Sequence, residues 1–154
     1  MRELLFRGKR KDNGEWVQGH NVFYMQDNDN VFITQTGLPV PTLGDGSSVV
    51  VMMHPSTEVW TDTVGQFTGL TDKNGKKIFE GDIVEGHCHS QWSHRLQRCV
   101  VVYERDGFEA RHYVMQGGEE RYYTYKVLFS KDVVVIGNIH DNPELLEGER
   151  ENDM

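Results

Sequence analysis

No stretch of this 154-residue chain approaches the run of about eighteen apolar residues that a membrane-spanning helix needs. The opening Met1-Arg2-Glu3-Leu4-Leu5-Phe6-Arg7 carries charge too early for a secretory leader, so a soluble, cytoplasmic protein is expected. Cysteine is nearly absent. Cys88 and Cys99 alone cannot make a disulfide scaffold, and reduced thiols are expected. With 4 prolines and 16 glycines, the composition excludes collagen and low-complexity disorder. Cations are missing from a long segment, because residues 12–72 contain eight acids and no Lys or Arg. Each phosphate that a protein neutralises takes one cation, so this segment cannot build a nucleic-acid surface.

The charge that is present is uneven. Residues 1–11 hold five bases against Glu3, residues 73–131 hold ten bases against eight acids, and residues 132–154 hold seven acids against Arg150. The formal net charge is −8.

Apolar residues alternate with a period of two, in short β-branched and aromatic runs separated by Gly, Asn and Asp. The pattern predicts strands over Glu3–Lys9, Trp16–Met25, Val31–Gln35, Val49–Met53, Ile78–His87, Gln97–Glu104, Phe108–Met115, Tyr122–Phe129 and Val133–Ile139. Asn13-Gly14, Asn74-Gly75 and Asp106-Gly107 suit type I′ turns, and Gly117-Gly118 marks another reversal. One short helix is expected near the C-terminus over Asn142–Glu147, with Asn142 as cap and Pro143 at the first helical position. The tail after Gly148 is charged and expected to fray.

The chain also repeats itself. Phe6-Arg7-Gly8, Asn13-Gly14, Trp16-Val17-Gln18-Gly19 and Val22 correspond to Phe67-Thr68-Gly69, Asn74-Gly75, Ile78-Phe79-Glu80-Gly81 and Val84. Each copy reads as an aromatic-led strand, a tight hairpin and a return strand. Asn-Gly hairpins with aromatic flanks also arise by chance in β proteins; a duplicated hairpin, with one β subdomain entered by each copy, is the preferred reading.

At the second copy, Thr63-Val64-Gly65-Gln66-Phe67-Thr68-Gly69-Leu70 followed by Asp72-Lys73-Asn74-Gly75-Lys76-Lys77-Ile78-Phe79-Glu80-Gly81-Asp82-Ile83-Val84 resembles the central signature of the YopX family of phage and prophage proteins. Phe6-Arg7-Gly8-Lys9, Asn13-Gly14-Glu15-Trp16-Val17 and the run from Val135 to Leu146 agree in order. Departures lie at Trp60-Thr61-Asp62 and across His87–Arg98. The resemblance implies a mainly β fold: an N-terminal β region over residues 1–66 with a loop insert, a signature hairpin with an SH3-like barrel over residues 67–148, and a frayed acidic tail over residues 149–154. It implies no catalytic residues.

Chemical motifs are sparse. His87, His89, His94 and Cys99 carry zinc-ligating groups, but their spacing fits no standard zinc module, and a polar loop between strands explains them better. Asp27-Asn28-Asp29-Asn30 opens like a calcium loop, yet Phe32 and Leu38 occupy the positions that need Gly and Glu. The segment Gly69–Lys77 lacks the hydroxyl residue and the helix of a phosphate loop. No G-x-S-x-G elbow occurs, and the pairs Glu80 with Asp82 and Glu119 with Glu120 are those of any acidic β surface. Aromatic and basic residues interleave at Arg111-His112-Tyr113 and from Arg121 to Lys126, with alternation placing Tyr123 and Tyr125 on one face and Tyr122 on the other.

The expected function is a phage- or prophage-encoded, non-catalytic interaction module with no cofactor and no metal, meeting an unidentified phage or host protein. One alternative is a nucleic-acid-binding accessory protein using the basic N-terminal hairpin and the barrel tyrosines, disfavoured by the net charge. A second is an acidic decoy that binds a host protein. A homo-oligomer is expected through the apolar runs Val49–Met53 and Val133–Ile136. Elemental analysis of the purified protein is expected to find no stoichiometric metal. About one zinc per chain, lost in a His87→Ala, His89→Ala double variant, would overturn that expectation.

Overall fold

A computed structural model describes residues 3–25, 30–35, 56–87, 95–125, 128 and 130–147. The predicted strand Val49–Met53, the Asp27–Asp29 part of the calcium-like loop, Cys88, His89, His94 and the acidic tail lie outside the described residues. The chain divides into two compact units, Met1–Phe67 and Thr68–Met154. Both are built from antiparallel strands.

In the first unit, β1 (Phe6–Lys9), β2 (Trp16–Tyr24), β3 (Val31–Gln35) and β4 (Ser56–Val59) are followed by a 3-10 turn over Thr61–Thr63 and the start of β5 (Gly65–Thr71). The strand order is β4-β3-β2-β1-β5. Val17, Val31, Ile33 and Val59 form the core, with Val22 and Val64 packed against it. β2 keeps its apolar face inward past a register shift between Gly19 and Asn21. Only glycine fits there, since a Cβ on residue 19 would sit 1.7 Å from the Thr34 carbonyl oxygen. β4 was not legible in the sequence: it has one buried apolar residue, Val59, and its edge is tied back to the end of β1. Arg10 bridges to Val59, the Trp60 N–H donates to the Lys9 carbonyl at 2.9 Å, and the Lys11 N–H donates to the Glu58 carbonyl at 3.2 Å.

In the second unit, the end of β5 pairs with β6 (Lys77–Phe79). A separate sheet holds β7 (Asp82–His87), β8 (Leu96–Glu104), β9 (Gly107–Gln116), β10 (Glu119–Tyr125) and β11 (Val134–Asn138), in the order β10-β9-β8-β7-β11. Ile78, Val84, Cys99, Val101, Ala110, Leu128, Val133 and Val135 form its core. The predicted strand Ile78–His87 is therefore two strands. Gly81 takes a φ of +86° between them, and Asp82 Oδ2 accepts the Phe79 N–H at 2.8 Å across the break. The Val133–Ile136 run alternates: Val133 and Val135 are core of this unit, while Val134 and Ile136 are only half-buried.

The expected SH3-like barrel is not closed among the described residues. β11 pairs with β7, at the opposite end of the sheet from β10, and its outer edge is already occupied. Asp72 Oδ2 accepts the Val135 N–H at 3.1 Å, and the Lys73 N–H donates to the Val133 carbonyl at 3.0 Å. Asp72 Oδ1 also accepts the N–H groups of Asn74 and Lys76, each at 2.9 Å. Burial by itself would raise the Asp72 pKa, but the N–H donors of Val135, Lys76 and Asn74 outweigh it and hold the carboxyl below its ordinary value.

At the C-terminal end, residues 144–147 form a helical turn. The Asn142 carbonyl accepts the Leu145 N–H at 3.1 Å, as a cap residue's carbonyl does, but the Asn142 side chain turns back to accept the Asn138 N–H at 3.3 Å.

The hairpin turns correct the expected type. Arg10 N–H reaches the Glu15 carbonyl and Gly14 N–H reaches the Arg10 carbonyl, enclosing the four-residue loop 11–14. Asp72 N–H reaches the Lys76 carbonyl and encloses a three-residue loop, 73–75. Loops of three and four residues are built on a type I turn followed by a left-handed residue, so they need one positive φ where a type I′ turn needs two. Gly14 at +73° and Gly75 at +81° supply it. Arg105-Asp106 forms the third turn, with Gly107 already paired to Glu104. Gly117-Gly118, at +63° and +83°, is a two-residue loop with both residues left-handed, as a type I′ turn requires.

Gly14→Ala and Gly75→Ala are each expected to lower stability by about 1 kcal/mol or more in denaturant titrations. Nothing lies within 4 Å of a Cβ placed on residue 75, so the cost there is conformational, and Gly75→Asn should recover most of it. Equal stability of all three variants and the parent would reject the left-handed assignment.

Candidate functional site

Three places carry chemistry. At the end of β7, His87 meets the loop before β11. Its Nδ1 hydrogen-bonds to Asp132 Oδ2, and its N–H faces the same carboxylate at 3.3 and 3.4 Å. The Ser130 hydroxyl donates to Asp132 Oδ1. The Ser130 hydroxyl, and after it His87, hold the Asp132 carboxyl well below the usual carboxylate range.

This is an imidazole oriented by a carboxylate, with Nε2 turned away from Asp132 and the side chain 44% exposed. Ser130 bonds the other carboxylate oxygen, Oδ1, and is not placed to be activated by the ring. Sequence reasoning singled out His87 but not Asp132, which lies 45 positions along the chain. The local Ser130-Lys131-Asp132 spacing was the available signal, and it reads as a turn.

Cys99 is fully buried in β8 opposite Val84, and β-strand alternation puts His87 on the other face of the sheet. The two described members of the His and Cys set, His87 and Cys99, are thus not brought together. Among the described residues no group of three His, Cys, Asp or Glu side chains could hold a metal ion. Of the carboxylate pairs, Asp82 is buried on the Phe79 N–H, and Glu119 and Glu120 are exposed.

The basic N-terminal hairpin is the second place. Arg7 is buried, with its guanidinium 4.8 Å from the Trp16 ring centroid. Arg10 pairs with Asp12 at 2.6 Å. Lys11 pairs with Glu58 at 2.9 Å and lies 5.2 Å from the centroid of Trp60. Arg10, Lys11, Asp12, Ser56, Thr57 and Glu58 line a cavity of about 390 Å³. Its walls carry both signs of charge, already joined in ion pairs.

The third place is the β9–β10 ribbon. Arg111 lies between Glu104 at 2.7 Å and Glu109 at 3.2 Å, with its guanidinium 4.2 Å from the Tyr122 ring centroid. Tyr113 lies directly across from Tyr122, with ring centroids 5.9 Å apart. On the other face, His112 is buried and its Nδ1 bonds the Arg98 carbonyl at 2.9 Å, while Tyr125 packs edge-on to it at 6.0 Å. The expected partition of tyrosines holds only in part. Tyr125 packs on the core, but Tyr123 on the same face is 48% exposed and Tyr122 is 51% exposed, because the core ends beneath β9.

These features define a mainly β protein of antiparallel strands whose buried aspartates, Asp72 and Asp82, accept backbone N–H groups. The YopX protein family matches residues 5–147, nearly the whole chain, and the chain belongs to that family. Among solved structures it is similar to the crystal structure of protein EF1440 from Enterococcus faecalis, at 26% identity over 93% of this chain and 97% of that chain, with a TM-score of 0.44. No curated protein matches it. No helix among the described residues is long and apolar enough to cross a membrane.

The Asp132 carboxylate as acceptor fixes neutral His87 as the Nδ1–H tautomer, whereas imidazole in water favours Nε2–H. Long-range proton–nitrogen spectra above the ring's titration should show Nδ1–H in the parent and a shift toward Nε2–H in Asp132→Ala. An Nε2–H ring in the parent would break the dyad assignment.

Proposed function

We propose that this YopX-family chain is a phage- or prophage-encoded, non-catalytic module that binds another protein through its β9–β10 ribbon. One observation carries the reading: six consecutive residues of β10, Glu119–Thr124, are exposed although the strand is hydrogen-bonded to β9 along one edge. A strand exposed on both faces, bearing Tyr122 and Tyr123, is amphipathic contact area held rigid before any partner arrives. Tyrosine in that setting gives large contact at small entropic cost.

Nucleic acid fits less well. Arg10, Lys11, Arg98 and Arg111 each sit within 3.2 Å of a carboxylate oxygen, so their charges are spent inside the chain. Arg111 already lies over the Tyr122 ring, and Tyr123 presents its ring on the other face. Phosphate binding would have to break ion pairs first.

A photo-reactive amino acid placed at Tyr123 tests the reading in the cells that carry the gene. A discrete adduct of protein mass, resistant to nuclease and weakened by at least about tenfold in Tyr122→Ala, is expected. A nuclease-sensitive adduct, or none, would overturn the proposal.

A further inference from the structure

The two ends of the β7–β11 sheet are treated differently by the fold. At β11 the outward N–H of Val135 and the outward carbonyl of Val133 are met by Asp72 and Lys73. At β10 no described strand or loop backbone pairs with the outer edge. The Gly117-Gly118 loop closes on Gln116 and Glu119, and a two-residue loop closes on a hydrogen-bonded pair. Alternation along β10 then turns the N–H and C=O of Tyr122 and Thr124 away from β9. An edge of this kind is a template for another strand.

We infer that β10 pairs antiparallel with β10 of a second copy of this chain, about a two-fold axis at Tyr122. This rests on the reading of the ribbon as a protein-binding surface, and names the occupant. The choice of a second copy comes from the sequence of the strand itself. An axis perpendicular to the sheet keeps each face on its own side, so a residue can oppose only residues of the same alternation class, and the axis must pass through a residue.

Centred on Tyr122, that register sets Arg121 opposite Tyr123 of the second copy, Glu120 opposite Thr124, and Glu119 opposite Tyr125. No like charges face each other, Arg121 meets an aromatic ring, and the two Tyr122 side chains meet at the axis with Arg111 stacked on each. Main-chain bonds from Tyr122, Thr124 and their opposites add about six hydrogen bonds. Each copy carries a net charge of −8, so the far field opposes association and added salt should strengthen the dimer. Salt would weaken a complex with nucleic acid.

Light scattering of the purified chain is expected to show a concentration-dependent dimer in the micromolar range. In a Cys88→Ser background, Tyr122→Cys should cross-link to itself under mild oxidation, because opposed residues at the axis lie about 5.5 Å apart. Tyr123→Cys lies on a diagonal of about 7–8 Å, at the limit of that reach, and should link far more slowly. Thr124→Cys lies further from its own copy and should not link.

Tyr122→Glu sets two carboxylates face to face and should weaken the dimer by at least about tenfold. Should that variant lose its circular dichroism signal, Thr124→Pro removes an outward N–H without touching the β9 ladder and should have the same effect on mass. One-chain mass at every concentration, or cross-linking equal at all three positions, would overturn the inference. If the photo-adduct in cells then proves to be a different protein, the ribbon remains a protein-binding surface and only the second copy is rejected.

Discussion

The carboxylate of Asp72 is the contact on which the second unit depends. It is buried, accepts two N–H groups of its own loop, and accepts a third from Val135 in β11. A single side chain thus shapes the β5–β6 hairpin and fastens it to the edge of the five-stranded sheet. An apolar residue of similar size, such as leucine, would leave those N–H groups without an acceptor, a loss on the order of 1–3 kcal/mol for each that stays buried. The ion is part of the structure: with its folded pKa below the ordinary value, its contribution is in place above the unfolded carboxylate pKa and is lost as pH falls through the lower folded one.

That fastening explains why the sheet stays open. A strand edge can be satisfied by another strand, by a loop or by water, and β11 is satisfied by a loop. With its edge occupied, β11 cannot receive β10, and β10 has little reason to curl over the core because Tyr125 is its one residue packed there. In the first unit the edge problem is solved differently, by bonds from Lys9, Arg10 and Lys11 to the end of β4 and the residue after it. The basic hairpin owes its position to those bonds, and Arg10 and Lys11 are held in ion pairs with Asp12 and Glu58.

How much of this was legible in the sequence follows from the range of each interaction. Alternation locates nine of the eleven strands among the described residues in whole or in part, and the glycines at 14 and 75 announce left-handed backbone, since period and turn chemistry are local. Loop length was not local: whether Asn74-Gly75 sits at the centre of a two-residue turn or the end of a three-residue one depends on which strand residues pair. The predicted strand Ile78–His87 runs straight through Gly81, because the Asp82–Phe79 bond that makes the break there is invisible in an apolar count. β4 was missed because its stability comes from backbone partners on both sides. The chemistry fared likewise. His87 stood out by type, but Asp132 and Ser130 reach it only through the sheet, and Cys99 was separated from it by the alternation of paired strands.

Electrostatics and edge geometry together select the kind of surface this chain offers. At physiological ionic strength a charge is screened beyond about 8 Å, so an approaching molecule senses the local pairing of charges before the net −8. Locally, Arg10, Lys11 and Arg111 are matched by carboxylates, and their contribution to the surface is geometric: Arg111 lies over the Tyr122 ring, and Lys11 lies beside Trp60. Among the described residues, the β10 edge combines main-chain groups of Tyr122 and Thr124 that face away from β9, with no described backbone partner, and two exposed tyrosines. Main-chain pairing is indifferent to partner charge and demanding about register, and register is set by the side chains that alternate across the strand. On the reading proposed above, with the β11 edge covered by the Asp72 loop, recognition falls to the other edge of the sheet, where the seven residues of β10 would supply both the main-chain hydrogen bonds and the side chains that set register.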